Sequence, residues 1–305
     1  MQTLTVVIPA FNEEASLERY LPRVVEHCRR RHYQLIVVND GSSDRTRGII
    51  DQAALRGELR AIHHKMNRGY GAAIKSGIAG TSTDFLITID ADGQHELEDI
   101  DRLLQKAVDE DADMVVGSRR GQAAASVYRG VGRLAIRSFA KLLMLVPIHD
   151  LNSGMKLYRV DLARWYMPLC PDSMSYSDII ALTFLHRRHR VIEEPIRLNQ
   201  RVDGTSSVST ATAFETVLDI LHILMLFNPM RIFLPASAIC ILLGLAWGIP
   251  IILDKRGVSV GAMLAIMTGV IFFFLGLLAE QLSWIRRAPI EIQRTDDTLE
   301  GVRRR

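Results

Sequence analysis

The last third of the chain holds two long apolar segments, and few environments can accommodate them. Ile232–Leu253 contains no charged residue, and Val258–Ile285 contains only Glu280. Each segment is long enough to cross the hydrocarbon core of a bilayer, which takes roughly 20 residues as a helix. The short polar segment Asp254–Gly257 separates them. We therefore predict two transmembrane helices, about 232–253 and 258–285, that form a hairpin within residues 230–288.

Basic residues mark the open end of this hairpin. Only Lys255 and Arg256 lie in the turn, whereas the arginines at the open end are Arg231, Arg286, Arg287, Arg294 and Arg303–Arg305. Because segments rich in Lys and Arg stay in the cytoplasm, both termini and the preceding domain are predicted to be cytoplasmic, in the plasma membrane or its equivalent. Residues 289–305 are predicted to be a cytoplasmic basic tail.

Phe214–Phe227 is a third apolar segment, placed just before the hairpin. It is apolar on most of its surface, with Glu215, Asp219 and His222 on a narrower strip. This pattern is typical of an interfacial amphipathic helix, here predicted within residues 213–229. A core helix of the preceding domain is the alternative.

Residues 1–212 show strands that alternate with helices. The predicted strands are Leu4–Ile8, Leu35–Val38, Leu59–His64, Phe85–Ile89 and Met114–Ser118, and helical spacing follows each of the first four. Such alternation predicts an α/β domain with a doubly wound, mostly parallel sheet. Polar turns follow all these strands, so their side chains are expected to share one rim of the sheet. The formal net charge is only +3, so nothing demands a nucleic-acid partner.

The fourth strand runs directly into Asp90-Ala91-Asp92-Gly93-Gln94. Two carboxylates this close repel each other unless a cation lies between them. Mg²⁺ and Mn²⁺ prefer such oxygen ligands and keep positions open for substrate phosphates. We interpret this segment as a divalent-metal site that grips a diphosphate. The alternative is a solvated turn rich in aspartate.

Five polar motifs recur along the first two thirds of the chain: Val7–Glu14, Val38–Thr46, Asn67–Ala73, Asp90–Gln94 and Val116–Arg119. In this order and spacing, they closely resemble the motifs of family-2 glycosyltransferases of the GT-A, Rossmann-like fold. Within that family they look like those of the dolichyl- or polyprenyl-phosphate sugar synthases. The resemblance covers roughly residues 3–207.

The resemblance implies a nucleotide-sugar donor and roles for named residues. A donor pocket would be lined by Pro9, Ala10, Phe11, Glu13, Arg68 and Ala91. Asp40 would hydrogen-bond the base or ribose, and Arg201 would contact phosphates from a loop that closes over the donor. Mg²⁺ or Mn²⁺ would be held by Asp90, Asp92 and Gln94, with Asp92 and Arg119 acting in catalysis.

A basic stripe indicates where the acceptor phosphate binds. Arg129, Arg133 and Arg137 follow at i, i+4 and i+8, which places them on one helix face. We interpret Arg129 and Arg133, with Arg119 and Ser153, as ligands of a lipid phosphate, since guanidinium suits phosphate. A solvated basic face, or attraction to anionic headgroups, is the alternative.

The general base is left unassigned by the sequence. Asp150 and Ser153 belong to a family Asp-x-x-Ser-Gly turn, and Ser153 stands where some relatives carry an acidic residue proposed as the base. A phosphate monoester has a second pKa of about 6, so it needs little deprotonation at neutral pH. Asp150, placed among the catalytic residues, and Asp178 are the fallback candidates.

The sequence thus predicts an inverting transferase that moves one sugar from a UDP- or GDP-sugar to a polyprenyl phosphate at the cytoplasmic membrane face. Its partners are the donor, the lipid acceptor and the bilayer, and a homo-oligomer is possible. One alternative is a membrane enzyme that extends a polysaccharide or glycolipid, but its usual Gln-x-x-Arg-Trp motif is absent from this sequence. Another is a non-catalytic scaffold that binds nucleotide sugars.

Overall fold

The computed structural model describes residues 2–119, 148–151, 153–199, 225, 229–255 and 257–303, with side chains described up to residue 285. The described residues belong to two compact units. The first unit is the α/β domain, and the second contains the C-terminal helices. The predicted domain boundaries at residues 212, 229 and 288 stay predictions, and the predicted interfacial helix lies almost wholly outside the described residues.

The described part of the α/β domain contains one seven-stranded sheet in the order β3-β2-β1-β4-β6-β5-β7. Neighbouring strands run parallel, except that β6 is antiparallel to both β4 and β5. The strands are β1 (Leu4–Ala10), β2 (Gln34–Asn39), β3 (Arg60–His63), β4 (Phe85–Thr88), β5 (Met114–Ser118), β6 (Lys156–Arg159) and β7 (Val191–Pro195). The predicted α/β class and mostly parallel sheet are confirmed, and the antiparallel β6 is an addition.

Helices follow the strands much as the hydrophobic spacing predicts. In the α/β domain they are α1 (Glu14–Arg31), α2 (Thr46–Leu55), α3 (Tyr70–Gly80), α4 (Glu98–Asp109), α5 (Val160–Tyr166) and α6 (Tyr176–His186). Pro22 lies inside α1. The first strand is longer than the predicted Leu4–Ile8, because Pro9 and Ala10 extend β1. The missing N–H of Pro9 is tolerated because β1 pairs with β4 only as far as Val7 and with β2 alone beyond it.

Alternate residues of the strands serve two apolar layers. On one face, Val6 and Ile8 of β1 belong to a buried cluster with Leu17 of α1, Ile50 of α2 and Leu103 of α4. The opposite face is covered by α3, which packs on β1 and β2. In the described part of the chain helices cover both faces, and the carboxyl ends of the parallel strands form the rim where ligands bind in such sheets.

The second unit contains a helical hairpin of α7 (Met230–Leu253) and α8 (Val260–Arg303). Met230–Leu253 and Val260–Ile285 are long and apolar enough to cross a membrane. Glycines let the helices approach closely, since a Cβ on Gly244 or Gly269 would lie within 3 Å of the facing helix. Large apolar side chains such as Trp247 face outward. Both predicted spans are confirmed as helices, while α8 continues beyond the predicted start of the tail at residue 289.

Gly77 tests the packing of α3 on the sheet. A Cβ at this position would lie 2.4 Å from Val7 Cγ1. We expect Gly77→Ala to destabilise the domain by about 1–3 kcal/mol through overpacking. The matched control is Gly48→Ala, because a Cβ on this exposed helical glycine would meet nothing within 4 Å. That change should be neutral or stabilising by up to about 1 kcal/mol. Thermal unfolding in detergent, followed by circular dichroism, measures both. Equal unfolding temperatures would contradict the described α3–β1 contact.

Candidate active site

The loops at the carboxyl ends of β1 and β2 are fastened to each other. The backbone N–H of Asn12 donates to Ser42 Oγ at 3.0 Å, and that of Ser43 donates to Asn12 Oδ1 at 2.9 Å. Asn12 has a positive φ of 54°, a conformation that Asn tolerates better than most residues. This junction fixes the loop that carries the predicted nucleoside-pocket residues.

Those pocket residues differ in what they expose. Pro9 and Ala10 are buried in β1, so their side chains belong to the core, whereas Phe11 is 45% exposed and Glu13 is half-buried. The geometry therefore leaves Phe11 and Glu13 as the side chains that a nucleoside could contact here. All four roles stay predictions.

Asp40 anchors the neighbouring loop between β3 and α3. Its Oδ1 accepts from the N–H of Arg68 at 2.9 Å and lies 2.6 Å from His64 Nδ1, and its Oδ2 accepts from the N–H of Gly69 at 2.8 Å. His64 Nε2 lies 2.8 Å from Ser76 Oγ. Asp40 is only 3% exposed. Its demonstrated contacts therefore order the loop that carries Arg68, and its predicted contact with base or ribose stays a prediction.

Asp90 presents a carboxylate held from two sides. Tyr70 donates its hydroxyl to Oδ1 at 3.2 Å, and His95 Nε2 lies 3.5 Å from Oδ2. Desolvation favours the neutral acid, but the hydrogen bonds of His95 and Tyr70 and the charge of Lys156 outweigh it, so the pKa of Asp90 lies below its usual value. The side chain is 37% exposed. An ionised, accessible carboxylate is the form that a metal requires.

Asp92 and Gln94 complete the predicted metal-binding segment. Asp92 Oδ1 accepts from the N–H of Gln94 at 3.1 Å across the turn at Gly93, whose φ is 74°. Within the described parts of the chain, no group of three or more His, Cys, Asp or Glu residues could hold a metal. The donor set is thus two carboxylates and an amide. It fits Mg²⁺ or Mn²⁺, which commonly take one or two protein carboxylates and fill other positions with water and phosphate.

The turn before β6 closes on the same acids. A Cβ on Gly154 would lie 2.1 Å from Asp90 Oδ2, so this backbone touches the carboxylate. Ser153 is 1% exposed, and its hydroxyl accepts from the N–H of Met155 at 3.3 Å. The same hydroxyl donates to the Met155 carbonyl at 3.4 Å, and a bond from Ser153 to the acceptor phosphate would replace that bond. The predicted role of Ser153 stays a prediction.

Arg119 and Asp150 form a bidentate ion pair beside the rim. Nε and Nη2 of Arg119 each lie 2.6 Å from a carboxylate oxygen of Asp150, and the Arg119 N–H donates to Oδ2 at 3.1 Å. Burial opposes ionisation of Asp150, but Arg119 outweighs it and lowers the pKa of this carboxyl. The Arg119 side chain remains 31% exposed. This pairing suits Arg119 to phosphate binding and makes Asp150 a weak base, although both roles stay predictions.

Several predicted phosphate ligands cannot be placed in this geometry. Arg129 and Arg133, with Arg137 of the same stripe, and Arg201 of the predicted closing loop lie outside the described residues. Their roles stay predictions.

Sequence reasoning missed four side chains that support the site. His64 contacts Asp40, Tyr70 and His95 contact Asp90, and Lys156 lies buried in β6. Tyr70 lies inside the Asn67–Ala73 motif and His95 directly follows Gln94, so position alone could have flagged them. His64 and Lys156 carry no comparable signal in the sequence.

Family models match both parts of the chain. Residues 5–165 match "Glycosyl transferase family 2", and residues 228–285 match "GtrB C-terminal hairpin".

Two curated relatives support this assignment. The undecaprenyl-phosphate 4-deoxy-4-formamido-L-arabinose transferase of Edwardsiella ictaluri is 30% identical over 93% of this chain and 90% of that protein. The polyprenol monophosphomannose synthase of Mycolicibacterium smegmatis is 30% identical over 72% of this chain and 86% of that protein.

A solved structure supports the fold. Glucosyl-3-phosphoglycerate synthase of Mycobacterium tuberculosis, crystallised with Mn²⁺, UDP and phosphoglyceric acid, has a TM-score of 0.58 and is 19% identical, covering 73% of this chain and 78% of that one. The α/β core with its rim of polar residues, followed by an apolar hairpin, is therefore the GT-A-like arrangement, and the chain belongs to glycosyl transferase family 2.

Proposed function

We propose that this protein is an inverting transferase that moves one sugar from a nucleotide-diphosphate sugar to a polyprenyl phosphate at the cytoplasmic face of a membrane. The observation that carries the proposal is the pair Asp90 and Asp92 at the end of β4, in a chain that also carries a membrane-type hairpin. The relatives named for transfer to undecaprenyl phosphate and for polyprenol monophosphomannose synthesis support this acceptor class.

The donor side of the site would use residues already ordered by the fold. Asp90, Asp92 and Gln94 would hold Mg²⁺ or Mn²⁺, whose chemistry is to neutralise charge on a departing nucleoside diphosphate. The Asp40–His64 contact keeps the loop of Arg68 in place before any donor arrives. Such preorganisation lowers the cost of ordering the site when the donor binds.

The acceptor side needs orientation more than it needs a base. A phosphate monoester is largely dianionic at neutral pH, because its second pKa is about 6. Its oxygen can attack the anomeric carbon directly, forming the new C–O bond while the bond to the diphosphate oxygen breaks on the opposite face. An α-linked donor then gives a β-linked lipid product. Arg119, held rigid by Asp150, would orient the attacking phosphate.

The hairpin explains how a soluble donor and a lipid acceptor meet. The two apolar helices and the hairpin match indicate a membrane protein. Anchoring the domain confines it to the surface where the lipid phosphate lies, which raises the effective concentration of the acceptor.

Asp92→Asn tests the metal and the reaction together. We expect it to lower transfer of radiolabelled sugar into extractable lipid by about 100-fold, because one metal ligand loses its charge. Chelation should abolish wild-type activity, and added Mn²⁺ or Mg²⁺ should restore it. The control is Asp109→Asn, an exposed position on α4, which should keep wild-type activity. Label that forms at the wild-type rate in Asp92→Asn would contradict the proposed role, and no lipid product from any nucleotide sugar in the wild type would contradict the function.

Two single cysteines test the orientation in the membrane. Lys255→Cys lies in the exposed hairpin turn, and Leu55→Cys replaces a side chain that is 88% exposed in the α/β domain. Native Cys28 and Cys170 are buried, and the partly buried Cys240 lies inside the apolar helix α7, where a membrane-impermeant reagent would not reach it, so background labelling is limited. With a membrane-impermeant maleimide, we expect Lys255→Cys to be labelled in intact cells and Leu55→Cys only after lysis. The reverse pattern would place the catalytic domain on the other face.

A further inference from the structure

Lys156 is a buried lysine at the start of β6, an inner strand of the sheet. It lies in β6 opposite Thr88 of β4 and Val116 of β5, and it is 2% exposed. Lysine is almost never buried so completely, because its ammonium loses hydration. An apolar side chain would fill this space at a lower free-energy cost, so packing alone does not explain a lysine here.

The ammonium is bound by neutral oxygens next to the site. Lys156 Nζ donates to the carbonyl of Ser153 at 2.5 Å and to Ser177 Oγ. Ser177 Oγ also donates to the Ser153 carbonyl, at 2.8 Å. The Ser153 carbonyl therefore accepts two hydrogen bonds, one from Lys156 and one from Ser177. A shift of the backbone that follows Ser153 would break both bonds.

That backbone is the wall of the Asp90 carboxylate. Gly154 follows Ser153 directly, and its Cα approaches Asp90 so closely that no side chain fits between them. Thr88 Oγ1 donates to the Gly154 carbonyl at 2.8 Å, which ties the turn to β4 as well. Lys156 thus influences the position of Asp90 indirectly, through the backbone of Ser153 and Gly154.

The charge of Lys156 also acts on the surrounding acids. Burial lowers the pKa of Lys156 to about 8, against the opposing fields of Asp178, Asp150 and Asp90, which favour the charged form. Their repulsion is in turn reduced by the ammonium. Asp90 belongs to the predicted metal-binding segment, and Asp150 holds Arg119. The charge of Lys156 therefore favours the ionised form of acids in both halves of the site.

We propose that Lys156 is a positioning residue for sugar transfer, which holds the Ser153–Gly154 turn against Asp90 through its bonds to the Ser153 carbonyl and to Ser177. The inference rests on the proposed function. A purely structural role would not require a lysine here, because replacing a buried charge by an apolar side chain of similar volume often leaves stability unchanged or higher. A positioning role predicts instead that such a replacement lowers activity.

The test compares Lys156→Met with Lys156→Arg in the full chain in detergent. We expect Lys156→Met to lower kcat by about 100-fold and to leave KM for the donor within about threefold of wild type. Displacing the Ser153–Gly154 turn and Asp90 should affect the geometry of the reacting groups more than it affects donor binding. Lys156→Arg keeps the charge and should recover most of that loss. The control is Lys106→Met, a surface lysine paired with Glu110, which should match wild type.

A second readout does not depend on turnover. Mn²⁺ binding, measured by electron paramagnetic resonance in the presence of whichever nucleoside diphosphate the wild type uses, should weaken by about tenfold in Lys156→Met, as for other residues that orient metal ligands. A kcat and a Mn²⁺ affinity both equal to wild type in a folded Lys156→Met protein would overturn the inference.

Ser177→Ala keeps the test decisive if Lys156→Met does not fold. It removes one acceptor of the ammonium and one donor to Ser153 while it leaves the charge in place, so we expect kcat to fall by about tenfold. Wild-type kcat in this variant would overturn the inference. Failure of the proposed function is distinguishable, because the wild type itself would then make no lipid-linked sugar.

Discussion

Negative charge concentrated at the end of β4 is the constraint on which this site depends. Asp90 and Asp92 lie two residues apart on a rim where the protein partly excludes water, and Asp150 and Asp178 lie near enough to act on the same buried lysine. Like charges so placed raise each other's pKa unless something compensates them. The fold compensates in part, with Tyr70 and His95 on Asp90, with Lys156 beneath, and with Arg119 on Asp150. A divalent cation would supply the positive charge that is still needed to compensate these acids.

The antiparallel strand β6 makes this compensation possible. It inserts between β4 and β5, whose carboxyl ends lead to Asp90 and Arg119, and it brings the Ser153–Gly154 turn against the first of these. Because β6 is antiparallel, the turn that precedes it lies at the carboxyl ends of β4 and β5. If β6 were parallel, this turn would lie at the opposite edge of the sheet. The acids after β4 and the Arg119–Asp150 pair are thus joined through one short strand.

The sequence predicts the rim well because the relevant signals are local. The apolar β-branched run Phe85–Ile89 and the acids after it form one continuous pattern, so both β4 and the position of the acids at its end could be predicted directly. The strand β6 could not, because Lys-Leu-Tyr-Arg offers too short an apolar run, and its place is decided by pairing with β4 and β5. Lys156 was missed for a related reason. Lysine usually lies at the surface, and only the tertiary structure shows that this one is buried. The contacts of Asp40 with the Arg68–Gly69 backbone were also missed, because they involve a loop 28 residues away that no local pattern predicts.

The central claim is that the acids after β4 hold a divalent cation that contacts the donor diphosphate. Anomalous diffraction from crystals soaked with Mn²⁺ and the nucleoside diphosphate tests it most directly. The account predicts a single strong manganese peak within coordination distance of the carboxylates of Asp90 or Asp92, with phosphate density beside it. A manganese peak elsewhere, with diphosphate bound and these carboxylates unliganded, would contradict it.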